Sequence, residues 1–332
     1  MSGTRNSILL DVHAHLAPVF VDRLANQGGV SWDPANSVMT VDGHAVGMKA
    51  LFRPEELRAW MQQNGVAHAW ISAPPPLYRQ QLRGADARAW VGYVNDGLSE
   101  IAAASEGAFT ALMHLPTEAP GEAAAIARAW IDRHHKLFAM PAGTGDDRTL
   151  GDAEFEPLWN VLDDAGAFVF FHPGECADGR LSAYYLTNLL GNPYESTVAI
   201  AHMVFSGVLE RYRNFVPCFA HAGGMVPMVA GRWERGHATA RPGLDTQLAP
   251  PSKLMSRIHV DCICHSEAAA ELADRTFGAD NVVFGSDWPF PMGLPDPHRQ
   301  LADFAAERRT RYLADNPARL LARFNSSNKD SA

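Results

Sequence analysis

Short apolar runs and longer amphipathic stretches alternate along nearly the whole chain. The runs are Ile8–Val12, Val66–Ser72, Phe109–Leu115, Leu137–Ala142, Ala167–Phe171, Val216–Ala220, Ile258–Ile263 and Asn281–Gly285, each ending near polar, Gly or Pro residues. Runs of this length and composition predict strands. Between them, stretches rich in Ala, Leu, Glu and Arg predict helices over Pro54–Asn64, Ala87–Ser105, Gly121–Arg133, Glu154–Ala165, Val198–Tyr212, Ser266–Phe277 and Pro297–Leu313. Strands that alternate with helices imply a parallel sheet, and eight of them is the number that closes a barrel. The expected fold is therefore a single-domain (β/α)₈ barrel spanning residues 1–332. Two regions interrupt the alternation. Residues 16–52 carry Asp42-Gly43, a hairpin signal, and predict a small β-flap over the barrel mouth. Residues Ala238–Lys253 are Pro-rich and aperiodic and predict a loop, and the polar tail 325–332 is expected to be disordered.

Composition narrows the functional classes. With 332 residues, 47% of them apolar, the chain can bury a large core without staples. Its net charge of -9 speaks against nucleic acid or an anionic membrane surface as the main partner. The four cysteines (Cys176, Cys218, Cys262 and Cys264) form no CxxC pair and read as free thiols of a reducing compartment. No segment reaches the ~18 uninterrupted apolar residues of a membrane span, and no signal peptide is evident. The expected location is the cytoplasm.

In this barrel fold the reactive groups stand at the C-terminal ends of the strands. The first run is followed by His13-Ala14-His15, the fifth by His172, the sixth by His221 and the eighth by Asp287. Residues two apart on a strand share a face, so His13 and His15 can reach one ion. Each signal is weak alone. Together, imidazoles and a carboxylate at strand ends suit one divalent cation with a coordination position left open. Such an ion lowers the pKa of bound water toward ~7, and an imidazole beside it is the group suited to exchanging that proton. Zn²⁺ is the expected ion, with Mn²⁺ the alternative.

The motifs DVHAHLAP, FFHPGE, FAHAGG and FGSDWPFPMG, with the stretch from Asp178 to Arg232, resemble those of the aminocarboxymuconate-semialdehyde decarboxylases within the amidohydrolase superfamily. The resemblance implies that His13, His15, His172 and Asp287 bind zinc and that His221 is the catalytic histidine that does not. It also implies that Arg232 reaches into a neighbouring subunit's site to grip a substrate carboxylate, which would make the working unit a homodimer. Met140-Pro141 stand where binuclear relatives carry a bridging lysine, so a single metal is expected. Two departures bear on the substrate. Gly47 stands where the family's flap carries a second carboxylate-binding arginine, with Arg53 nearby. Gly174-Glu175 replace a Trp-Asp pair, exchanging a bulky wall for space and a carboxylate. Glu175 is read as an orienting or acid/base group, and Trp288 as packing at the mouth or against a planar substrate. His114 and His265 are read as spectators, and Arg180 as a partner of Asp178 or Glu175, with a substrate contact the alternative.

The resulting expectation is a non-oxidative decarboxylase of a planar unsaturated or aromatic acid. In it, His221 and Asp287 do the chemistry, while Arg232, Glu175 and Trp288 hold a small carboxylate substrate. The alternative is a hydrolase or hydratase of a lactone, cyclic amide or unsaturated diacid at the same metal.

Overall fold

The computed structural model describes residues 7–325 apart from 175 and 177. Glu175 and the tail from residue 326 therefore lie outside the described residues. The strands are β1 (Asp11–His15), β2 (Val30–Asp33), β3 (Val38–Val41), β4 (His44–Val46), β5 (Ala69–Ser72), β6 (Phe109–Ala111), β7 (Met113–His114), β8 (Leu137–Pro141), β9 (Phe168–His172), β10 (Val216–Phe219), β11 (His259–Asp261) and β12 (Val282–Val283). β6 and β7 are one strand interrupted at Leu112, whose N–H still donates to the Ile71 carbonyl at 2.8 Å. All pairings in the order β1-β5-β6 and β7-β8-β9-β10-β11-β12 are parallel. The chain leaving β12 then returns to β1. The N–H of Val12 donates to the Phe284 carbonyl (3.1 Å), that of Asp287 to His13 (2.7 Å) and that of His15 to Trp288 (2.8 Å). These bonds bring the eighth strand beside the first, the arrangement of a (β/α)₈ barrel.

Alternate residues of β9 explain how the interior is divided. Phe168, Phe170 and His172 share one face, and the two phenylalanines join Leu10, Val12, Trp70 and Val216 in a fully apolar cluster. Leu320 of the last helix, Asn316–Asn325, is buried against this cluster and Phe324 packs on it, capping one end of the barrel. The ring of Phe170 lies 4.8 Å from that of His13, so the apolar layer is the floor on which the polar site stands.

The flap takes the expected form. β2, β3 and β4 are antiparallel, and Val41 pairs with His44 across Asp42-Gly43. Both turn residues have positive φ (50° and 84°), the geometry of a tight two-residue hairpin. The Asp42 carboxylate accepts two hydrogen bonds from the buried Arg79 guanidinium and one from Gln81. Both donors lie in the segment leaving β5, so the flap is tied to the strand-end side of the barrel.

Several expected boundaries move for local reasons. The ladder of β1 begins at Asp11, because Ile8 makes only an isolated bridge to Val66, so the HxH pair lies within the strand rather than beyond it. The expected helix Val198–Tyr212 is Asn192–Phe205 followed by Val208–Arg211, divided at Gly207, whose φ of 78° ends a right-handed helix. The expected helix Pro297–Leu313 is broken into Pro297–Gln300 and Ala306–Thr310, because Phe304 turns inward and is buried between them. In the expected loop Ala238–Lys253, the last residues open a short helix, Pro251–Met255. The helix Val226–Ala238, not among those expected, buries Val226 and packs Trp233 against the core. Among the described residues no helix is long and apolar enough to cross a membrane.

Candidate metal centre

Four buried side chains converge where β1, β9 and the segment after β12 meet. One potential ligand atom from each of His13, His15, His172 and Asp287 lies within 4.8 Å of the other three. The Nε2 atoms of His13 and His15 are 3.0 Å apart, and Asp287 Oδ1 lies 3.1 and 3.3 Å from them. The opposite ring nitrogens are already engaged. His13 Nδ1 meets Asp261 Oδ2 at 2.7 Å, His15 Nδ1 meets Ser72 Oγ at 3.1 Å, and His172 Nδ1 meets the Pro173 carbonyl at 2.8 Å. A neutral imidazole that donates from Nδ1 presents a bare lone pair at Nε2. Three such lone pairs and a carboxylate facing one another repel unless a cation sits among them. This donor set therefore fits a divalent metal ion, and the groups that fix each ring's tautomer complete the fit.

The electrostatics express the same demand for positive charge. Burial disfavours the charged form of all three imidazoles and holds His15 below the usual range and His172 well below it. On His13 burial is outweighed by the Asp287 and Asp261 carboxylates, which push its pKa up to about 10. Burial also opposes the charge on Asp287, yet His13 and its hydrogen-bonding neighbours keep this carboxyl ionised, well below its ordinary pKa.

A family model described as Amidohydrolase matches residues 10–323. The chain belongs to the amidohydrolase family. Among curated relatives, it is 28% identical to the 2-amino-3-carboxymuconate-6-semialdehyde decarboxylase of Dictyostelium discoideum over 305 residues, 86% of this chain and 83% of that protein. Solved structures share its fold. The 5-carboxyvanillate decarboxylase of Sphingomonas paucimobilis superposes with a TM-score of 0.78 at 20% identity, covering 95% of this chain and 99% of the other. The 5-carboxyvanillate decarboxylase of Novosphingobium aromaticivorans, complexed with manganese and 4-hydroxy-3-methoxy-5-nitrobenzoic acid, gives 0.78 at 16%, covering 98% of each chain.

In this amidohydrolase His221 stands beside the cluster, its Nε2 3.8 Å from Asp287 Oδ2 and its ring 5.2 Å from that of His172. His221 (φ 55°), Ala222 (53°) and Asp287 (57°) all occupy the left-handed region, which non-glycine residues adopt at a cost of about 1–3 kcal/mol each. Such conformations persist where the surroundings hold them. Here Ala222 N–H donates to Asp261 Oδ1, and Asp287 N–H donates to the His13 carbonyl. His221 and Asp287 both line a cavity of about 510 Å³ whose other walls include Leu189, Met228, Ile263, Leu272 and Met292.

Not every expected site residue joins this centre. Trp288 is buried in the core beside β1 and is not among the cavity's lining residues; its backbone pairs with Ala14. Arg232 lies exposed on the helix Val226–Ala238 and is not among the cavity's lining residues. Glu175 falls outside the described residues. Arg180 pairs with Asp178 at 2.5 Å and is largely exposed. The cysteines are free, as expected. His265, read as a spectator, lines the cavity, anchored through Nε2 to the Met292 carbonyl at 2.8 Å. The space expected at Gly174 is filled: a Cβ there would meet Gln80 Oε1 at 2.6 Å and Tyr78 Cδ2 at 3.5 Å.

One residue missing from the expected set organises the centre. Asp261, at the end of β11, accepts from His13 Nδ1, Ala222 N–H and Ile263 N–H, so a single carboxylate positions a ligand and the loop of His221. Its signal in the sequence is slight, an acid in the run Ile258–Ile263. Gly285 leaves room for it, since a Cβ there would come within 2.8 Å of both Asp261 Cβ and His13 Cβ. Asp261→Asn should weaken metal affinity by about 10–100-fold, the usual effect of losing a carboxylate that orients a liganding histidine. Titration against a chelator of known affinity checks this, and unchanged affinity would show that His13 needs no such partner.

Proposed function

We propose that this amidohydrolase is a non-oxidative, metal-dependent decarboxylase of a planar aromatic carboxylic acid. The observation that carries the reading is one largely apolar cavity lined by both Asp287 of the ligand cluster and the unliganded His221. The name of the Dictyostelium relative, which matches most of the chain, supports the same reaction class. The donor set of imidazoles and one carboxylate favours zinc, with manganese the alternative. When bound, the ion supplies Lewis-acid stabilisation for the substrate's oxygens. The rest is done by the chain. Non-oxidative decarboxylation breaks the bond to the carboxylate carbon, releases CO₂ and puts one proton on the carbon left behind, with no electron acceptor. His221 is placed to carry that proton, with its Nε2 3.8 Å from Asp287 Oδ2 in the wall of the cavity.

The walls restrict the substrate further. No lysine or arginine is among the described residues lining the cavity. Gly47 faces open space, Arg53 is paired with Glu56 at 2.6 Å and Arg79 with Asp42 at 2.6 Å. Both arginines near the flap are thus committed to carboxylates of their own chain, which favours hydroxybenzoate-type monoacids over muconate diacids. The counter-charge for the reacting carboxylate comes from the metal and from Arg232 of a second copy. Tyr184, 89% exposed, and Met228, 77% exposed, are large apolar side chains suited to a dimer interface. Arg232 follows Met228 by one helical turn and so shares its face.

The test is CO₂ release from metal-loaded protein on a panel of hydroxybenzoates and muconates, with lactones and cyclic amides assayed for hydrolysis. Turnover confined to the latter would replace the decarboxylase with a hydrolase. Mixing Arg232→Ala with His221→Asn protein should restore activity neither has alone, because a mixed dimer contains one intact site. Absence of rescue would place the arginine's role within its own chain.

A further inference from the structure

We infer that Tyr78 is a substrate-recognising residue whose phenolic hydroxyl donates a hydrogen bond to an oxygen of the acid held at the metal centre. This rests on the decarboxylase reading above. Tyr78 leaves the strand-end side of β5, and its ring lies 6.5 Å, edge-on, from that of the ligand His172. Its other face is stacked on His114, with centroids 5.1 Å apart and planes at 12°. Both side chains are almost wholly buried, at 4% and 1% exposed. Yet the Tyr78 hydroxyl and both His114 ring nitrogens have no hydrogen-bond partner. Native structures leave few buried polar atoms unsatisfied, and three on two stacked rings beside a metal centre call for a partner that arrives later.

The segments that carry these tips are held in place. Asn95 brackets the His114 backbone, donating to its carbonyl at 3.0 Å and accepting from its N–H at 2.6 Å. Trp90 Nε1 donates to the Leu77 carbonyl at 2.7 Å, fixing the turn that carries Tyr78. Gln80 Nε2 donates to Thr117 Oγ1 and the Gly143 carbonyl, and Gly174 gives Gln80 and Tyr78 the space a side chain would take. The wall is also uncharged. Burial, with Asp287 adding to it, keeps the Tyr78 phenol protonated far above its ordinary range, and burial drives His114 down to about 4. A neutral O–H in this place suits an anionic or lone-pair oxygen: the acid's second carboxylate oxygen or a neighbouring hydroxyl.

Tyr78→Phe retains the ring and its stacking and removes only the hydroxyl. Titration calorimetry on manganese-loaded protein, with salicylate and benzoate as probes, should show salicylate binding weakened by about 10–100-fold, the worth of a hydrogen bond to a charged acceptor. Loss confined to salicylate assigns the bond to the hydroxyl oxygen, and equal loss with benzoate assigns it to the carboxylate. Both outcomes support Tyr78. Metal content should stay at the wild-type level and melting temperature should hold or rise, because the hydroxyl has no protein partner. Affinities within twofold of wild type for both acids would overturn the role of Tyr78 while leaving the decarboxylase reading intact. Wild-type protein that binds neither acid would overturn both.

Discussion

Stripping the metal from this protein should abolish turnover, and adding back zinc or manganese should restore it. The expected loss is about 10³-fold or more, because Lewis-acid stabilisation supplies several kcal/mol of the barrier reduction at such centres. The geometry gives a second reason. His13, His15, His172 and Asp287 bring their ligand atoms within 4.8 Å of one another in a buried pocket, with Nε2 lone pairs turned inward by the bonds at Nδ1. Without a cation, the Asp287 and Asp261 carboxylates must be balanced by a proton on His13. His13 then ceases to be a ligand and becomes a donor to the carboxylates beside it. Rebinding displaces that proton, so loading should acidify a weakly buffered solution. The ion also binds only the folded chain, and at 100 times its dissociation constant it contributes about 2.7 kcal/mol of stability. Chelated protein should therefore melt at a lower temperature. His172→Ala should reproduce both losses and leave the protein with little bound metal after dialysis. Full activity in protein shown by elemental analysis to be metal-free would end the metal-dependent reading.

The barrel and the four ligands were legible in the sequence for different reasons. The strands are short apolar runs at regular intervals, a pattern that any buried parallel sheet must show. The ligands were legible only jointly, because imidazoles and a carboxylate at several strand ends, each weak alone, together match the motifs of one family. Asp261 instead lies inside its apolar run, between His259 and Cys262, so its chemistry did not stand out. What it does depends on where His13 and Ala222 lie, 248 and 39 residues away along the chain. Tyr78 and His114 were hidden for a similar reason. A tyrosine after a Pro-rich turn and a histidine on an apolar strand read as packing residues, and only the three-dimensional arrangement shows that their polar atoms lack partners. The helix carrying Arg232 was missed because Pro227, Gly231 and Gly236 weaken its helical signal, although Val226 and Trp233 pack on the core.

Replacing His221 with Asn should leave the metal in place and lower kcat by about 10²–10⁴-fold, the range contributed by a positioned general acid or base. Metal retention is expected because His221 is not one of the four clustered ligands. Asn is the informative replacement. Position 221 has a φ of 55°, and Asn is among the residues that accept left-handed backbone most readily. The loop through Ala222 and Asp261 is therefore kept, and the observed loss reports on the imidazole rather than on a collapsed turn. Alanine would confound the two. With the proposed role of His221 in delivering the proton that replaces CO₂, the defect should fall mainly on kcat, with KM within a few-fold of wild type. The label pattern sharpens the test. In D₂O the wild-type product should carry one deuterium at the carbon that lost its carboxylate. A His221→Asn variant that released CO₂ at the wild-type rate, with the same deuterium incorporation, would mean that the proton reaches the carbon by a route that does not pass through this histidine.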